Sequence, residues 1–263
     1  MAKFRWSPAV LLLGLGLAPW APLGAQAAEQ SRLDAIVARG TLKVGTTGDY
    51  KPFSFANPEA KSFEGLDIDM MESLGKALGV KVEFVKTAWP DMMADFTADK
   101  FDVAAGGVSV SLARQKKGFF SIPYMVDGKT PIARCTDKDK FQTLPDIDKP
   151  GVRAIVNPGG TNEAFARENL KSAEIDVYKD NVTIFDQIVQ GKADVMITDA
   201  SETMLQQKLH KELCSIHPDK AFNYAEKGYW LQPDSAFKGF VDQWLHLALL
   251  TGEYGRISDK WFK

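Results

Sequence analysis

The 263-residue sequence is short of the residues that build metal centres. It holds three histidines and two cysteines. His210, His217 and His246 have no ligand spacing, which sets aside the usual metal frameworks. No charge of one sign dominates: 32 basic residues stand against 34 acidic ones, so the electrostatic footprint of a nucleic-acid partner is missing. A Gly-x-Ser-x-Gly elbow, a His-Glu-x-x-His pair and a dinucleotide-binding glycine fingerprint are absent, which removes three common enzyme classes. There is no low-complexity tract and no short internal repeat. What is there, 45% hydrophobic and 25% charged residues, is the composition of a globular α/β protein that handles small molecules.

The first residues read as an address rather than as fold. Lys3 and Arg5 precede a short apolar run over 9–17, and Ala25-Gln26-Ala27 has the small-x-small pattern of a signal-peptidase site. The run is too short to span a bilayer comfortably. Cleavage after Ala27, release into the periplasm and no membrane association afterwards are expected, with a retained anchor as the competing reading. Export puts Cys135 and Cys214 in an oxidising compartment. There a bridge closing a loop of roughly 80 residues competes with two buried thiols.

Downstream, hydrophobic periodicity alternates between strand and helix. Residues 41–46 read as a strand followed by a turn at 48–52. Leu66, Met70, Met71, Leu74 and Leu78 recur at helical spacing, and Gly79 ends that helix. Val80, Val82 and Phe84 alternate with charged residues as a strand, 91–98 reads as a helix and 101–105 as a strand. The order repeats over 152–156, 161–170, 175–178, 182–190, 193–197 and 200–209. Extended stretches occupy 124–135, which contains Pro131, and 223–231. Phe237, Phe240, Val241, Trp244, Leu245 and Ala248 mark a C-terminal amphipathic helix.

Two βαβαβ runs require mostly parallel sheets with right-handed crossovers. The expected fold is therefore an α/β clamp of two lobes joined by two extended crossings, with 28–131 and 228–263 in one lobe and 132–227 inserted as the other. One continuous doubly wound domain is the alternative. In a clamp the ligand sits beyond the carboxyl ends of the strands, so the polar turns 46–51, 106–114, 157–162 and 198–202 are expected to face the cleft.

The string Gly40-Thr-Leu-Lys-Val-Gly-Thr-Thr-Gly-Asp-Tyr-Lys-Pro-Phe-Ser54 resembles the opening of periplasmic amino-acid-binding proteins. Gly65-Leu-Asp-Ile-Asp69, Lys100-Phe-Asp-Val-Ala104, Arg114 followed by Phe120-Ser-Ile-Pro-Tyr124, Gly191-Lys-Ala-Asp194 and Thr198-Asp199 extend the likeness along the chain. It implies the two-lobed, type II periplasmic-binding-protein clamp. Within that superfamily, the segments 46–54, Asp127-Gly-Lys-Thr-Pro131, Ile155-Val-Asn-Pro-Gly-Gly-Thr-Asn-Glu163, Asp180-Asn-Val-Thr-Ile-Phe185 and Thr198-Asp-Ala-Ser-Glu202 resemble the cyclohexadienyl dehydratases. The resemblance implies a carbon–oxygen lyase that makes phenylpyruvate from prephenate and phenylalanine from arogenate. Water and carbon dioxide are lost, and neither metal nor cofactor is used.

The residues are weighed against that chemistry one by one. Prephenate carries two carboxylates. Arg114 follows a Gly-Gly-x-Ser turn, a position suited to a bidentate guanidinium, although Lys116 and Lys117 beside it read as solvated and a surface arginine is the alternative. The resemblance implies a catalytic, anion-binding Lys129 in the first crossing and puts the Asn157 amide in the site. The turn 159–162 precedes a helix whose first amides suit an anion, while Thr161 is equally an ordinary N-cap. Asp199-Ala-Ser-Glu202 reads locally as a capping box with an ionised Glu202. The resemblance implies instead that Glu202 is a protonated general acid serving the leaving hydroxyl. These two roles exclude one another. By the same likeness Asp199 holds a ligand ammonium group or orients the site. Asp49 belongs to the first polar turn, and Tyr50, Trp89 and Met196 are expected to wall in the cyclohexadiene ring.

A non-catalytic receptor that delivers an amino acid to an ABC transporter is the competing function. It needs only affinity and a closing clamp, whereas an enzyme must bind its transition state more tightly than its substrate. Arg114 and Asp199 suit both; Glu202, Lys129 and the 157–160 turn favour catalysis. The expected partner is a small-molecule substrate, with a homo-oligomer left open.

Overall fold

The computed structural model describes residues 1–3 and 30–263, so the expected export signal lies almost wholly outside the described residues. Two five-stranded sheets form the framework. In the first, the order is Lys81–Lys86, Thr41–Thr46, Val103–Ala104, Trp230–Leu231, Phe119–Phe120. The first three strands are parallel, and Trp230–Leu231 runs antiparallel to both its neighbours. The second sheet repeats the plan with Glu174–Val177, Arg153–Val156, Val195–Asp199, Lys129–Arg134 and Leu213–Ser215. Its first three strands are again parallel, and Lys129–Arg134 runs antiparallel to both its neighbours.

The expected parallel βαβαβ units are thus the core of two lobes, and the antiparallel strands come from the crossings. Each crossing ends as a strand of the sheet it enters. Between the lobes the two crossings pair with each other, Met125–Asp127 antiparallel to Ala225–Lys227. This short ribbon puts Lys129 and Lys227 at the seam.

Local patterning explains the elements. Helix Leu66–Leu78 buries Leu66, Met70, Met71, Leu74 and Leu78 on one stripe and stops at Gly79, whose φ of 71° a side chain would resist. Helix Ser235–Leu250 buries Phe237, Val241, Trp244, Leu245 and Ala248 against the same core. Each such side chain contributes about 1.5–3 kcal/mol by leaving water. The second lobe has a core on each face of its sheet: Val195 and Ile197 on one, Met196 with Ile184, Phe185 and Ile188 on the other.

Helices not anticipated include Arg32–Arg39 and Glu253–Phe262 and the short Leu112–Gln115 and Leu144–Ile147. Arg32–Arg39 fully buries Ile36 alone and Glu253–Phe262 buries no residue fully, but Leu33, Ile257 and Trp261 pack half-buried against the first core. The 48–52 turn opens a small antiparallel sheet of Asp49–Tyr50, Ser54–Asn57 and Ser62–Glu64. Cys135 and Cys214 are bridged, with Cα atoms 4.8 Å apart, tying together adjacent antiparallel strands of the second sheet. Among the described residues no helix is long and apolar enough to cross a membrane.

Candidate active site

A narrow cavity lies between the lobes. Tyr50, Trp89, Gly107, Ser109 and Arg114 line it from the first lobe. Asn157, Gly160, Thr161, Asn162, Asn181, Asp199 and Glu202 line it from the second. All four polar turns at strand ends contribute. The lobes approach closely: a Cβ on Gly159, whose φ is 75°, would fall 2.5 Å from Pro90 Cα. Gly107 has a similar constraint, with φ of 74° and the Tyr50 ring where its Cβ would be. The buried Asp67 carboxylate anchors that turn, accepting from the Gly106 and Gly107 amides at 2.8 and 2.7 Å and from the Tyr124 hydroxyl at 2.8 Å.

Asp199 is the electrostatic centre of the seam. Its Oδ1 accepts from Lys129 Nζ at 2.7 Å, and its Oδ2 accepts from Lys227 Nζ and from the Tyr50 hydroxyl at 2.5 Å. Burial alone would raise its pKa, but the two ammonium groups hold the carboxyl well below the usual carboxylate range. Lys129 also donates to Thr161 Oγ1 at 2.9 Å and to Asn162 Oδ1; burial lowers its pKa, with Asp199 opposing. Lys129 therefore stands behind Asp199, not among the residues that line the cavity.

Lys227 was missed by sequence reasoning. It is wholly buried, donates to Gly107 O and Ser109 Oγ at 3.1 Å each, and lies 5.1 Å from the Tyr50 ring centroid. Its one sequence signal was a lysine inside an extended segment that continues as Tyr229, Trp230 and Leu231.

The capping-box reading is overturned. Asp199 occupies the N-cap position of helix Ala200–Leu209, yet its side chain caps nothing, because both its oxygens serve the seam. Asp127 caps the helix from the crossing ribbon, accepting from Ser201 N at 3.3 Å and Ser201 Oγ at 2.6 Å. Gly128 O takes the Ala200 amide at 2.8 Å. Glu202 does not reach back to the N-cap amide; its Oε2 accepts from the Thr198 hydroxyl. Glu202 is 2% exposed, and burial pushes its carboxyl up to about 8. The Thr198 hydrogen bond opposes that rise and the charge of Asp199 adds to it. At neutral pH Glu202 is a neutral acid inside a cavity.

Thr161 is not an N-cap either. Gly160 holds that position without a side-chain cap, and Thr161 begins helix Thr161–Asn169. The helix start, with Gly160, Thr161 and Asn162 on the cavity, turns its positive dipole end and backbone N–H groups there without a side-chain cap. Arg114 is buried, and its Nη1 donates to Ser109 O at 2.8 Å. No carboxylate among the described residues pairs with it. Burial lowers its pKa to about 10, with Asp199 opposing, so the guanidinium stays charged at neutral pH. Asn157 Oδ1 accepts from Asn162 Nδ2 at 3.1 Å, which leaves the Asn157 amide N–H groups to donate.

Tyr50 and Trp89 form an edge-to-face wall, their centroids 5.8 Å apart. Two expected wall or binding residues do not line the cavity. Asp49 accepts from Trp89 Nε1 at 3.0 Å and so orients the indole, while its backbone carbonyl takes the Asn181 amide of the other lobe at 3.0 Å. Met196 is completely buried among Ile184, Phe185 and Ile188. It precedes Thr198 by two residues on the same strand face, about 6.6 Å further into the lobe. Asn181 and Ser109 line the cavity without having been singled out. Among the described residues, no three His, Cys, Asp or Glu side chains converge on a metal position.

Residues 42–263 match the bacterial extracellular solute-binding proteins, family 3. A cyclohexadienyl dehydratase of Pseudomonas aeruginosa is 55% identical over 236 residues, 90% of this chain and 88% of that protein. An ancestral amino-acid-binding protein, described as a precursor of cyclohexadienyl dehydratase, aligns with a TM-score of 0.82 at 37% identity, covering 89% of this chain and 100% of that one. An ancestral cyclohexadienyl dehydratase aligns with a TM-score of 0.56 at 54% identity, covering 88% and 96%.

Proposed function

The chain belongs to the bacterial extracellular solute-binding proteins, family 3, and from that premise we propose that its clamp is a reaction chamber. Its activity is that of a cyclohexadienyl dehydratase, turning prephenate into phenylpyruvate and arogenate into phenylalanine. The observation that carries this reading is Glu202, a neutral acid on the wall of a cavity that also holds an unpaired Arg114.

The substrate carboxylates take Arg114, the Asn157 amide and the uncapped start of helix Thr161–Asn169, and the ring lies against Tyr50 and Trp89. Glu202 passes its proton to the ring hydroxyl, which departs as water. The bond from the ring to its carboxylate breaks, the electron pair enters the ring, and carbon dioxide leaves. Aromatisation drives the step, and no electrons are gained or lost overall. Glu202 is left as a carboxylate and regains a proton from water. The walled cavity removes water from the departing carboxylate, which favours its loss.

Charge supports the same reading. Lys129 and Lys227 both pair with the buried Asp199, and Arg114 has no carboxylate partner among the described residues. That guanidinium is available to a carboxylate of prephenate. A receptor for amino acids needs an open acceptor for the ligand ammonium, whereas Asp199 already accepts from three donors. Export to the periplasm with cleavage after Ala27, and lobes of 28–131 with 228–263 and of 132–227, belong to the same proposal.

The test mixes purified protein with prephenate and follows phenylpyruvate absorbance. Steady turnover is expected. No turnover, together with tight binding of an amino acid, would leave a receptor.

A further inference from the structure

Asn162 lies buried in the cavity wall and its side chain touches three polar groups of the site. Its amide orientation is dictated by its neighbours. Lys129 Nζ can only donate, so the Asn162 atom facing it is the oxygen. The Asn162 nitrogen then points the other way, where its two hydrogens reach Asn157 Oδ1 at 3.1 Å and Thr198 Oγ1 at 2.9 Å. Thr198, receiving a hydrogen there, turns its own toward Glu202 Oε2. Oε2 is thereby occupied as an acceptor. Glu202 Oε1 has no hydrogen-bond partner among the described residues, and the side chain lines the cavity.

We propose that Asn162 is a positioning residue that sets the direction of the hydrogen-bond chain from Lys129 through Thr198 to Glu202, so that the acid proton sits on Glu202 Oε1. The same amide turns the Asn157 nitrogen toward the substrate carboxylate. One side chain therefore fixes the polarity of both a proton donor and an anion-binding donor. The inference rests on the reading of Glu202 as the proton donor.

The charged and titratable groups around Glu202 are Asp199 at the head of its own helix, Lys129 and Lys227 from the two crossings, and Arg114 and Tyr50 across the cavity. The Thr198 hydrogen bond favours the ionised form of Glu202, so its loss raises the pH at which the acid is spent.

The experiment compares Asn162→Asp, Thr198→Val and Thr198→Ser with wild type by kcat–pH profiles on prephenate. Asn162→Asp keeps an acceptor for Lys129 but replaces the donating nitrogen with an oxygen that draws the Thr198 hydroxyl away from Glu202. Its basic limb is expected to move up by about one pH unit, with kcat at pH 7 down about tenfold or more. Thr198→Val should move the limb in the same direction with KM unchanged, and Thr198→Ser should keep the wild-type limb. If Asn162→Asp folds poorly, the Thr198 pair decides. Wild-type turnover with an unmoved limb in Thr198→Val overturns the role of Asn162 alone. Absence of turnover by wild type overturns the dehydratase reading and this inference with it.

Discussion

Ser201 gives both its hydroxyl, at 2.6 Å, and its backbone N–H, at 3.3 Å, to the carboxylate of Asp127, 74 residues earlier in the chain. The helix that carries Glu202 is capped from the crossing ribbon, and its own N-cap residue is released for another task. The energies explain the exchange. A side-chain cap contributes about 1 kcal/mol. A buried charge deprived of its partner costs about 3–5 kcal/mol, so Asp199 goes to Lys129 and Lys227. With Asp127 supplying the cap, Glu202 has no donor to satisfy at the helix start and can remain protonated.

Glu202→Gln should lower kcat by roughly 10² to 10⁴, the range for a general acid, while substrate affinity survives. Single-turnover kinetics beside calorimetric binding separates the two. A variant near the wild-type rate would mean that the proton comes from another group.

The same residue should make stability fall as pH rises toward about 8 and activity fall above it. Its folded carboxyl sits at about 8 against an ordinary 4.5. A pKa raised by folding contributes stability that is fully present below 4.5 and is lost as pH rises through 8. The wild-type melting temperature is expected to drop across that window, and the drop should be smaller in Glu202→Gln. The rate should fall above about 8 because the acid form is consumed. A wild-type melting curve insensitive to pH there would contradict the buried neutral acid.

Arg114→Lys should raise KM for prephenate about tenfold to a hundredfold, with a smaller change in kcat. An ammonium lacks the planar fork that holds Ser109 O with one nitrogen and a carboxylate with the others. Steady-state kinetics at fixed ionic strength decides; an unchanged KM would put the carboxylate elsewhere.

Alkylation of the unfolded, unreduced chain should add nothing, and after reduction it should add two groups, because Cys135 and Cys214 are joined. Closing a loop between residues 79 apart constrains the unfolded chain, so reduction should cost about 4 kcal/mol in a urea titration. Two adducts before reduction would refute the bridge.

The period-2 and period-3.6 patterns around Val44, Leu74 and Val82 made the βαβαβ units legible, because they record only which face of a local element is buried. The strand ends followed from the same logic, and with them the turns that carry Tyr50, Arg114, Asn157, Asp199 and Glu202. Where two local motifs competed for one residue, the pattern had no means of ranking them. Thr161 and Asp199 both read as caps, and both lost that role to contacts with Lys129, a residue far from either in sequence. Met196 read as ring wall although the strand buries it two residues too deep.

The amino-acid order thus determined the two lobes, their crossings and the turns that meet. Only tertiary structure decided the ionisation of Glu202, the partners of Asp199 and the presence of Lys227 at the seam. Those depend on desolvation and on distances between segments up to 177 positions apart, as between Tyr50 and Lys227, and such quantities exist only once the lobes close on each other.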